Sequence, residues 1–223
     1  MPNKKQKKKK DKKEEILTNT DRIVIFGLVF IIIFIIGFIL SLQYFASVED
    51  NTLPDSELKS FNNFVFENRE GFWFTTVTLD NRTLYELMFY YHPADTLNVS
   101  TQKQMKYLFA NVNLTYITLD PDLPSKAVIA GTEISKILGK VFRKRVIGAI
   151  TRPANTDTSI ITCENNTASS RVILLNITQD TRIYSDNNCI IIEGSSPNEL
   201  IRAADRFAYE LLGITEAGTI KIQ

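Results

Sequence analysis

One stretch near the start of the chain limits its fold more than any other feature. Residues 23–48 are 26 consecutive residues without a formal charge, and the first 18 of them are apolar apart from two glycines. At about 1.5 Å of rise per residue, a helix of about 20 residues spans the roughly 30 Å hydrocarbon core of a bilayer. Because a helix satisfies its own backbone polar groups, it can cross lipid. We predict a transmembrane helix over residues 22–46.

Two alternatives to a transmembrane helix stay open. A buried core helix is one, although such a helix in a soluble domain presents a polar face to water and this stretch has none. A cleaved signal peptide is the other. Cleavage after Ala46 or Ser47 would leave Tyr44 or Phe45 at the −3 position, where a small residue is expected. We therefore expect the helix to stay in place as a signal anchor.

Charge is divided unevenly about this helix. Residues 1–46 carry nine basic and four acidic side chains, whereas the other 177 residues carry 17 basic and 21 acidic ones. Basic flanks stay in the cytosol, so we expect a single-pass protein of the cell membrane with a cytosolic N-terminus and an extracytoplasmic C-terminal domain.

Residues 1–21 are predicted to form a disordered, polybasic cytosolic arm. Its lysines are expected to be attracted to anionic lipids of the cytosolic leaflet. We expect no nucleic-acid partner, because no aromatic residue interrupts residues 1–15 to stack on bases. The lipid-attracting lysines are Lys7, Lys8, Lys9, Lys10, Lys12 and Lys13.

Cysteines and sequons both lie beyond the helix. Cys163 and Cys189 are predicted to form a disulfide in an oxidising compartment, with two buried free thiols as the alternative. A metal site is not expected, because His92 is the only histidine and the cysteine spacing is unlike that of zinc sites. The candidate glycosylation sites are Asn81, Asn98, Asn113, Asn165 and Asn176.

The rest of the chain predicts an α+β domain with mixed α/β layers over residues 61–223, after a juxtamembrane linker at residues 47–60. Aromatic and β-branched runs at 64–66, 72–79 and 84–91, separated by turn-forming residues, predict an antiparallel meander. Its alternation would place Phe72 and Phe74 on one face and Trp73 and Val77 on the other. Core packing is the favoured role of these aromatic residues, and a platform for stacking carbohydrate is the alternative.

A mixed sheet with two main helices is predicted to follow the meander. Apolar spacing predicts a short helix over 101–109 and an amphipathic helix over 125–143. Strands are expected at 113–119, 145–150, 159–163, 171–177 and 189–193. The last helix has the clearest limits, because Ser196 is a predicted N-cap, Pro197 the first helical residue, Glu199 a capping-box carboxylate and Gly213 a left-handed stop.

Several of these segments together resemble a family of uncharacterised archaeal membrane-anchored proteins. The resemblance rests on residues 189–194, 200–206 and 211–214, and on an aromatic meander with residues 64–66, Trp73 and 91–93; residues 115–121 and the helix after them also fit. It implies a membrane anchor and the predicted fold, and it implies no reaction. Members of that type carry an additional cysteine pair in the loop after Ile150, which this chain lacks.

The sequence assigns no catalytic residue and no cofactor. His92 follows a strand and precedes a proline, which is typical of a structural position. Glu133 and Glu193 lie near the ends of predicted elements and are candidates for the paired carboxylates of a glycosidase.

Asp205 is a third acidic residue of interest. It is expected to pair with Arg202 on the same helix. A pairing across the fold with Arg171 or Arg182 stays open.

Three functions therefore remain as hypotheses. The favoured one is a membrane-anchored extracytoplasmic interaction or structural module of the cell envelope, with a protein or glycan partner outside. The second is an envelope enzyme that hydrolyses glycan or peptide through paired carboxylates. The third is an accessory subunit of a membrane complex.

Overall fold

A computed structural model describes residues 24–27, 29–41, 57–78, 83–102, 105–109 and 111–215. The chain divides into two units, residues 1–55 and 56–223. The first contains helix α1 (Val24–Ser41), whose mean hydropathy is 3.2 and whose described side chains are exposed. By length and composition α1 can cross a membrane, a test that a signal sequence also passes. The predicted lysine arm lies outside the described residues.

The second unit is a mixed α+β domain, as predicted. Its strands are β1 (Glu57–Phe61), β2 (Phe64–Arg69), β3 (Phe72–Thr78), β4 (Leu84–Phe89), β5 (Ser100–Thr101), β6 (Leu114–Leu119), β7 (Arg145–Ile150), β8 (Ser170–Ile177), β9 (Arg182–Asp186) and β10 (Cys189–Gly194). Its helices are α2 (Ala127–Lys136), which continues as a π-helical turn (Ile137–Val141), and α3 (Pro197–Leu212). Short 3₁₀ turns occupy Pro93–Thr96, Met105–Phe109 and Cys163–Asn165.

Strands β2, β3 and β4 are the three strands of the predicted antiparallel meander, and β1, which was not predicted, extends the sheet to the order β1-β2-β3-β4. Strand alternation buries Trp73 and Val77 on the inner face and leaves Thr76 exposed on the outer one. Strand β1 begins at Glu57, within the residues that the sequence assigns to the linker, so the folded domain begins a few residues before position 61. The buried aromatic rings of this meander serve core packing.

The other six strands form a mixed sheet in the order β5-β9-β10-β8-β6-β7. Strands β7, β6, β8 and β10 are mutually parallel, and β9 runs antiparallel to β10. The sheet has two faces. The face that carries Ile117 and Ile173, here called the helix face, packs against α2 and α3; the opposite one, called the far face, carries Thr118 and Cys189.

Both helices lie between the meander and the six-stranded sheet. An atom added at the Cβ position of Gly131 on α2 would lie 3.3 Å from the Ile117 side chain, so this helix packs closely on the sheet. On the meander side, the Tyr209 ring of α3 lies 4.4 Å from that of Phe89. Because α3 is in contact with both sheets, most of its side chains are buried, well beyond a single stripe.

The limits predicted for α3 are confirmed in most respects. The Ser196 side chain accepts the N–H of Glu199 at 3.2 Å, Pro197 is the first helical residue, and Gly213 ends the helix with a φ of 68°. The Glu199 carboxylate differs from the prediction. It accepts hydrogen bonds from Thr181 and Arg202, so only one half of the capping box forms.

Two predicted elements differ from the structure, and a further strand was not predicted. The strand expected at 159–163 is reduced to a single bridge between Ile150 and Ile160. The helix expected at 101–109 is replaced by the end of β5 and a 3₁₀ turn. Strand β9 was not predicted, because its pairing with β10 through a tight turn at Asn187 and Asn188, both at positive φ, is a feature of the fold and not of local periodicity.

Candidate functional site

Among the described residues the most deeply buried acidic side chain is that of Asp205 on α3, and it binds the backbone where the chain leaves the meander. Its Oδ2 atom accepts the backbone N–H groups of Tyr90 and Tyr91 at 2.9 and 2.8 Å. One turn later, the Tyr209 hydroxyl donates to the carbonyl of Tyr91 at 2.6 Å. The predicted pairing with Arg202 is wrong, because that guanidinium binds Glu199 and Asn98.

The alternative partners of Asp205 are also occupied elsewhere. Arg171 donates to the carbonyls of Leu108 and Asn188. Arg182 donates to Glu193 at 2.6 Å. Asp205 therefore binds backbone donors and acts as a clamp within the fold.

Burial raises the pKa of the Asp205 carboxyl well above its usual value, against the opposing effect of the two N–H donors. Glu133 on α2 adds to that rise by its negative charge. Burial also raises the pKa of Glu133 itself, and the adjacent Lys136 opposes the rise. Lys136 donates both to Glu133 and to the carbonyl of Met88, so it links α2 to strand β4.

The two carboxylates expected to form a pair are not brought together. Glu133 belongs to α2, on the helix face of the sheet. Glu193 alternates with the core residue Ile192 on β10 and so points to the far face, where it accepts from Arg182 and from the Tyr184 hydroxyl at 3.3 Å. With the sheet between them, Glu133 and Glu193 cannot flank one substrate bond.

His92 lies inside an aromatic cage. Its ring is 4.7 Å from that of Trp73 and 5.2 Å from that of Phe66, and its side chain is 5% exposed. The Nδ1 atom accepts the N–H of Ala94 at 3.3 Å, which assigns the proton of the neutral ring to Nε2. Burial lowers the pKa of His92. A neutral, enclosed imidazole of this kind is part of the core.

The predicted disulfide between Cys163 and Cys189 is present, and the two Cα atoms are 5.3 Å apart. It fixes a segment that crosses the far face of the sheet. This segment first hydrogen-bonds to Ile150 on β7, then accepts from the Thr118 hydroxyl on β6 at 2.7 Å through the carbonyl of Ile161. The disulfide then joins the segment to the start of β10.

Three of the candidate glycosylation sites are exposed and one is half-buried. Asn98, Asn113 and Asn165 are exposed, although Asn98 accepts from Arg202 and Asn165 accepts the N–H of Thr162. Asn176 is half-buried on β8. Asn81 lies outside the described residues. Glycosylation of these asparagines stays a prediction.

The outer face of the meander has a groove of about 580 Å³ that includes Phe74, Thr76 and Arg69. The alternative role of a carbohydrate platform would need an open aromatic ring face. The Arg69 guanidinium already lies 4.8 Å from the centre of the Phe74 ring. Arg69 is held there by Glu86, at 2.9 Å, so the ring face is covered.

The outer edge of β7 presents open backbone over part of its length. This strand is the last in its sheet: its inner edge pairs with β6, and no described strand pairs with its outer edge. The N–H groups of Arg145 and Thr151 point to β6, whereas that of Ile150 points outward to Ser159. Because backbone groups alternate in direction along a strand, those of Val146 and Gly148 also point outward.

An apolar groove of about 510 Å³ lies beside this edge, between β7 and α2. Val146, Gly148 and Ile150 form its floor on the helix face, and Val128 and Thr132 of α2 form its wall. Val128 is 49% exposed although it is apolar. We call the outward backbone groups of Val146 and Gly148, with this groove, the β7 edge site.

Sequence reasoning identified β7 but not the β7 edge site. The strand order that leaves β7 at the margin is not encoded in local periodicity. Comparison of the chain with models of protein families, with curated proteins and with solved structures finds no match. The resemblance to archaeal membrane-anchored proteins stays a prediction.

Proposed function

We propose that the protein is a membrane-anchored interaction module of the cell envelope, which uses α1 as its anchor and binds an extended strand of a partner protein at the β7 edge site. The observation that carries the interaction role is the unpaired outer edge of β7 beside an apolar groove. Open strand edges are templates for a further strand, and alternate side chains of the added strand enter neighbouring pockets.

The meander provides an internal comparison, because its last strand is protected. Lys136 and Lys140 donate to the carbonyls of Met88 and Glu86 on β4, at 3.1 and 3.4 Å. Lysine at a sheet edge is a common device against pairing with other chains. Where the edge of β4 has lysines, the outer edge of β7 has the apolar side chains of Val146 and Ile147, and this favours pairing with a strand of another chain.

The anchoring role is supported by the composition of α1 and by the disulfide. An 18-residue helix with a mean hydropathy of 3.2 is unfavourable in water. A disulfide between Cys163 and Cys189 is stable in an oxidising compartment. Both agree with a domain that an N-terminal helix carries to the outside of the cell.

The enzyme hypothesis receives less support from the described residues. The carboxylates that do interact, Glu133 and Asp205, are 4% and 0% exposed. Asp205 is already occupied by two backbone N–H groups. A glycosidase needs both carboxylates beside the substrate, and a fully buried clamp does not meet that need.

Topology is tested by protease treatment of intact cells that express the full chain with a tag at each end. We expect loss of the C-terminal tag and survival of the N-terminal one. Protection of the C-terminal tag contradicts the proposed orientation. A mature N-terminus near residue 47, measured by intact mass, contradicts the anchor.

The interaction role is tested with a photoreactive benzophenone amino acid at Val146 of the full chain in native membranes. We expect a defined adduct there and none from the same group at Thr76, which is exposed on the meander. The adduct should disappear in Gly148→Pro, which removes an outward N–H, and persist in Gly148→Ala, since a Cβ there meets nothing within 4 Å. An adduct that still forms in Gly148→Pro contradicts strand pairing.

A further inference from the structure

We infer that the partner strand at the β7 edge site is β7 of a second copy of this chain, in an antiparallel pair about a two-fold axis at Ile147. This inference rests on the proposed interaction role and names its partner. The two sheets would join edge to edge, with the same surface used by both copies.

The register follows from which backbone groups point outward. In an antiparallel pair, two residues whose N–H and C=O groups face each other exchange two hydrogen bonds. With Ile147 opposite Ile147 of the second copy, Val146 stands opposite Gly148 and Gly148 opposite Val146. Each of these two Val146–Gly148 pairs then exchanges two hydrogen bonds, which gives four in total.

The end of the open edge sets the length of strand that fits. At Ile150 the outward N–H and C=O groups are already bound to Ser159 and Ile161, at 3.0 and 2.9 Å. An added strand must therefore leave the edge beside Ala149. In the proposed register the residue opposite Ala149 is Arg145 of the second copy, which is where β7 begins. A strand that extended further would collide with residues 159–161. Strand β7 of the second copy does not, because its first residue, Arg145, lies opposite Ala149.

Side-chain size agrees with the same register. On the helix face each Val146 lies opposite a glycine, and an atom added at the Cβ of that Gly148 has open space for 4 Å around it. The branched side chain therefore meets no opposing one. On the far face the two half-buried Ile147 side chains meet across the axis as a non-hydrogen-bonded pair, the arrangement in which cross-strand side chains are closest.

Charge also favours the antiparallel arrangement. The start of β7 is basic, because Arg145 is exposed there. The other end is acidic, because Asp120, Asp122 and Asp157 lie there against one guanidinium, that of Arg152. Antiparallel pairing brings the basic end of one copy to the acidic end of the other, and parallel pairing would bring like ends together.

A pair of two short edges has few contacts, and the proposed anchor compensates for this. Confinement of both copies to one membrane raises their effective concentration, so a weak contact is sufficient for pairing. The test is therefore made on the full chain in its membrane.

Ile147→Cys is introduced into the full chain, and the membranes are treated with a mild oxidant. Since the native cysteines are already bonded to each other, we expect a disulfide-linked dimer through the new residue. Arg145→Cys is the matched control. It lies on the same face and is exposed, but in this register the two copies of residue 145 are about 14 Å apart along the strands, too far for a bond.

Strand pairing is tested independently by the dimer dissociation constant of the full chain in lipid vesicles, measured over a range of protein-to-lipid ratios. Gly148→Pro should raise it roughly tenfold or more, because two of the four hydrogen bonds are lost. Gly148→Ala should leave it within about threefold. Equal thermal unfolding of the two variants verifies that the pairing with β6 is intact.

The outcomes separate this inference from the proposed function. A dimer from Ile147→Cys but not from Arg145→Cys supports it, and equal dimer from both contradicts the register. If Ile147→Cys gives no dimer while the benzophenone at Val146 labels a different protein, the second copy is excluded and the interaction role stands. If neither experiment gives a product, both proposals fail.

Discussion

The carboxylate of Asp205 accepts the backbone N–H of Tyr91 at 2.8 Å, and this contact joins the last helix to the meander. The same oxygen accepts the N–H of Tyr90, and Tyr209 returns a hydroxyl to the carbonyl of Tyr91. Two side chains one helical turn apart thus satisfy the backbone where the chain leaves β4. Because Asp205 is fully buried, we expect the position of the meander to depend on this clamp.

We expect Asp205→Ala to lower the free energy of unfolding by about 2–4 kcal/mol, since it leaves two buried N–H groups without an acceptor. Asp205→Asn keeps an oxygen in the same place and should cost about 1 kcal/mol or less. Urea unfolding of the full chain in detergent measures both, with Trp73, the only tryptophan, as the fluorescent reporter. Equal losses of stability in the two variants would show that the side-chain oxygen that accepts the two N–H groups is not what stabilises this junction.

Comparison of Asp205→Asn with the native protein also gives a prediction for the pH dependence of stability. Burial raises the folded-state pKa of Asp205 above its ordinary value of about 3.9, so the folded state binds this proton more tightly than the unfolded one. Its contribution to stability is complete below about pH 4 and is lost as the pH rises through the folded pKa. Asn cannot titrate, so the stability of Asp205→Asn relative to the native protein should increase with pH. A constant difference would contradict a raised pKa.

His92 has the opposite dependence. Burial lowers its folded-state pKa, so the unfolded chain binds this proton more tightly. The contribution of His92 to stability is fully present above its ordinary pKa of about 6.5 and decreases as the pH falls below that value. His92→Phe keeps the aromatic contacts with Trp73 and Phe66 and removes the titration. Its stability relative to the native protein should rise between about pH 7 and pH 5, which chemical unfolding at each pH will measure.

These buried contacts mark the limit of what the sequence predicts. The caps of α3 depend on neighbouring residues, so Ser196 and Gly213 could be assigned from local signals alone. The partners of Asp205 are backbone groups 114 and 115 positions away, which no local pattern indicates. Arg202 is the nearer cation, yet it binds Glu199 because Asp205 points inward.

The candidate site shows the same limit. Apolar and β-branched residues 145–150 predict β7, and the strand is confirmed. That β7 lies at the margin of the sheet follows from the order of strands that are far apart in the chain. The loss of the predicted strand at 159–163 has a related cause. Its backbone reaches only the end of β7 before the chain turns over the far face to Cys163.

The disulfide offers a fourth prediction. Replacing Cys163 and Cys189 together by serine opens a link between residues 26 positions apart, which should lower the free energy of unfolding by roughly 3–4 kcal/mol in the chain-entropy model. Reduction of the native protein should lower its free energy of unfolding, measured in urea, by a similar amount. The stability of the double variant should not change when reductant is added. Alkylation of both cysteines in the unreduced native protein would show that the bridge does not form.

Gly194 offers the sharpest steric test. An atom at its Cβ position would lie 2.2 Å from the backbone nitrogen of Leu200, because the first turn of α3 folds back over the end of β10. Backbone cannot yield as a flexible side chain does, so Gly194→Ala should either prevent folding or lower the free energy of unfolding by about 3 kcal/mol or more. Gly148→Ala adds the same methyl group in open space and should change stability by less than about 1 kcal/mol. Unfolding monitored at Trp73 compares the two. A mild effect at Gly194 would mean that α3 can move away from β10, and with it the Asp205 clamp that α3 carries.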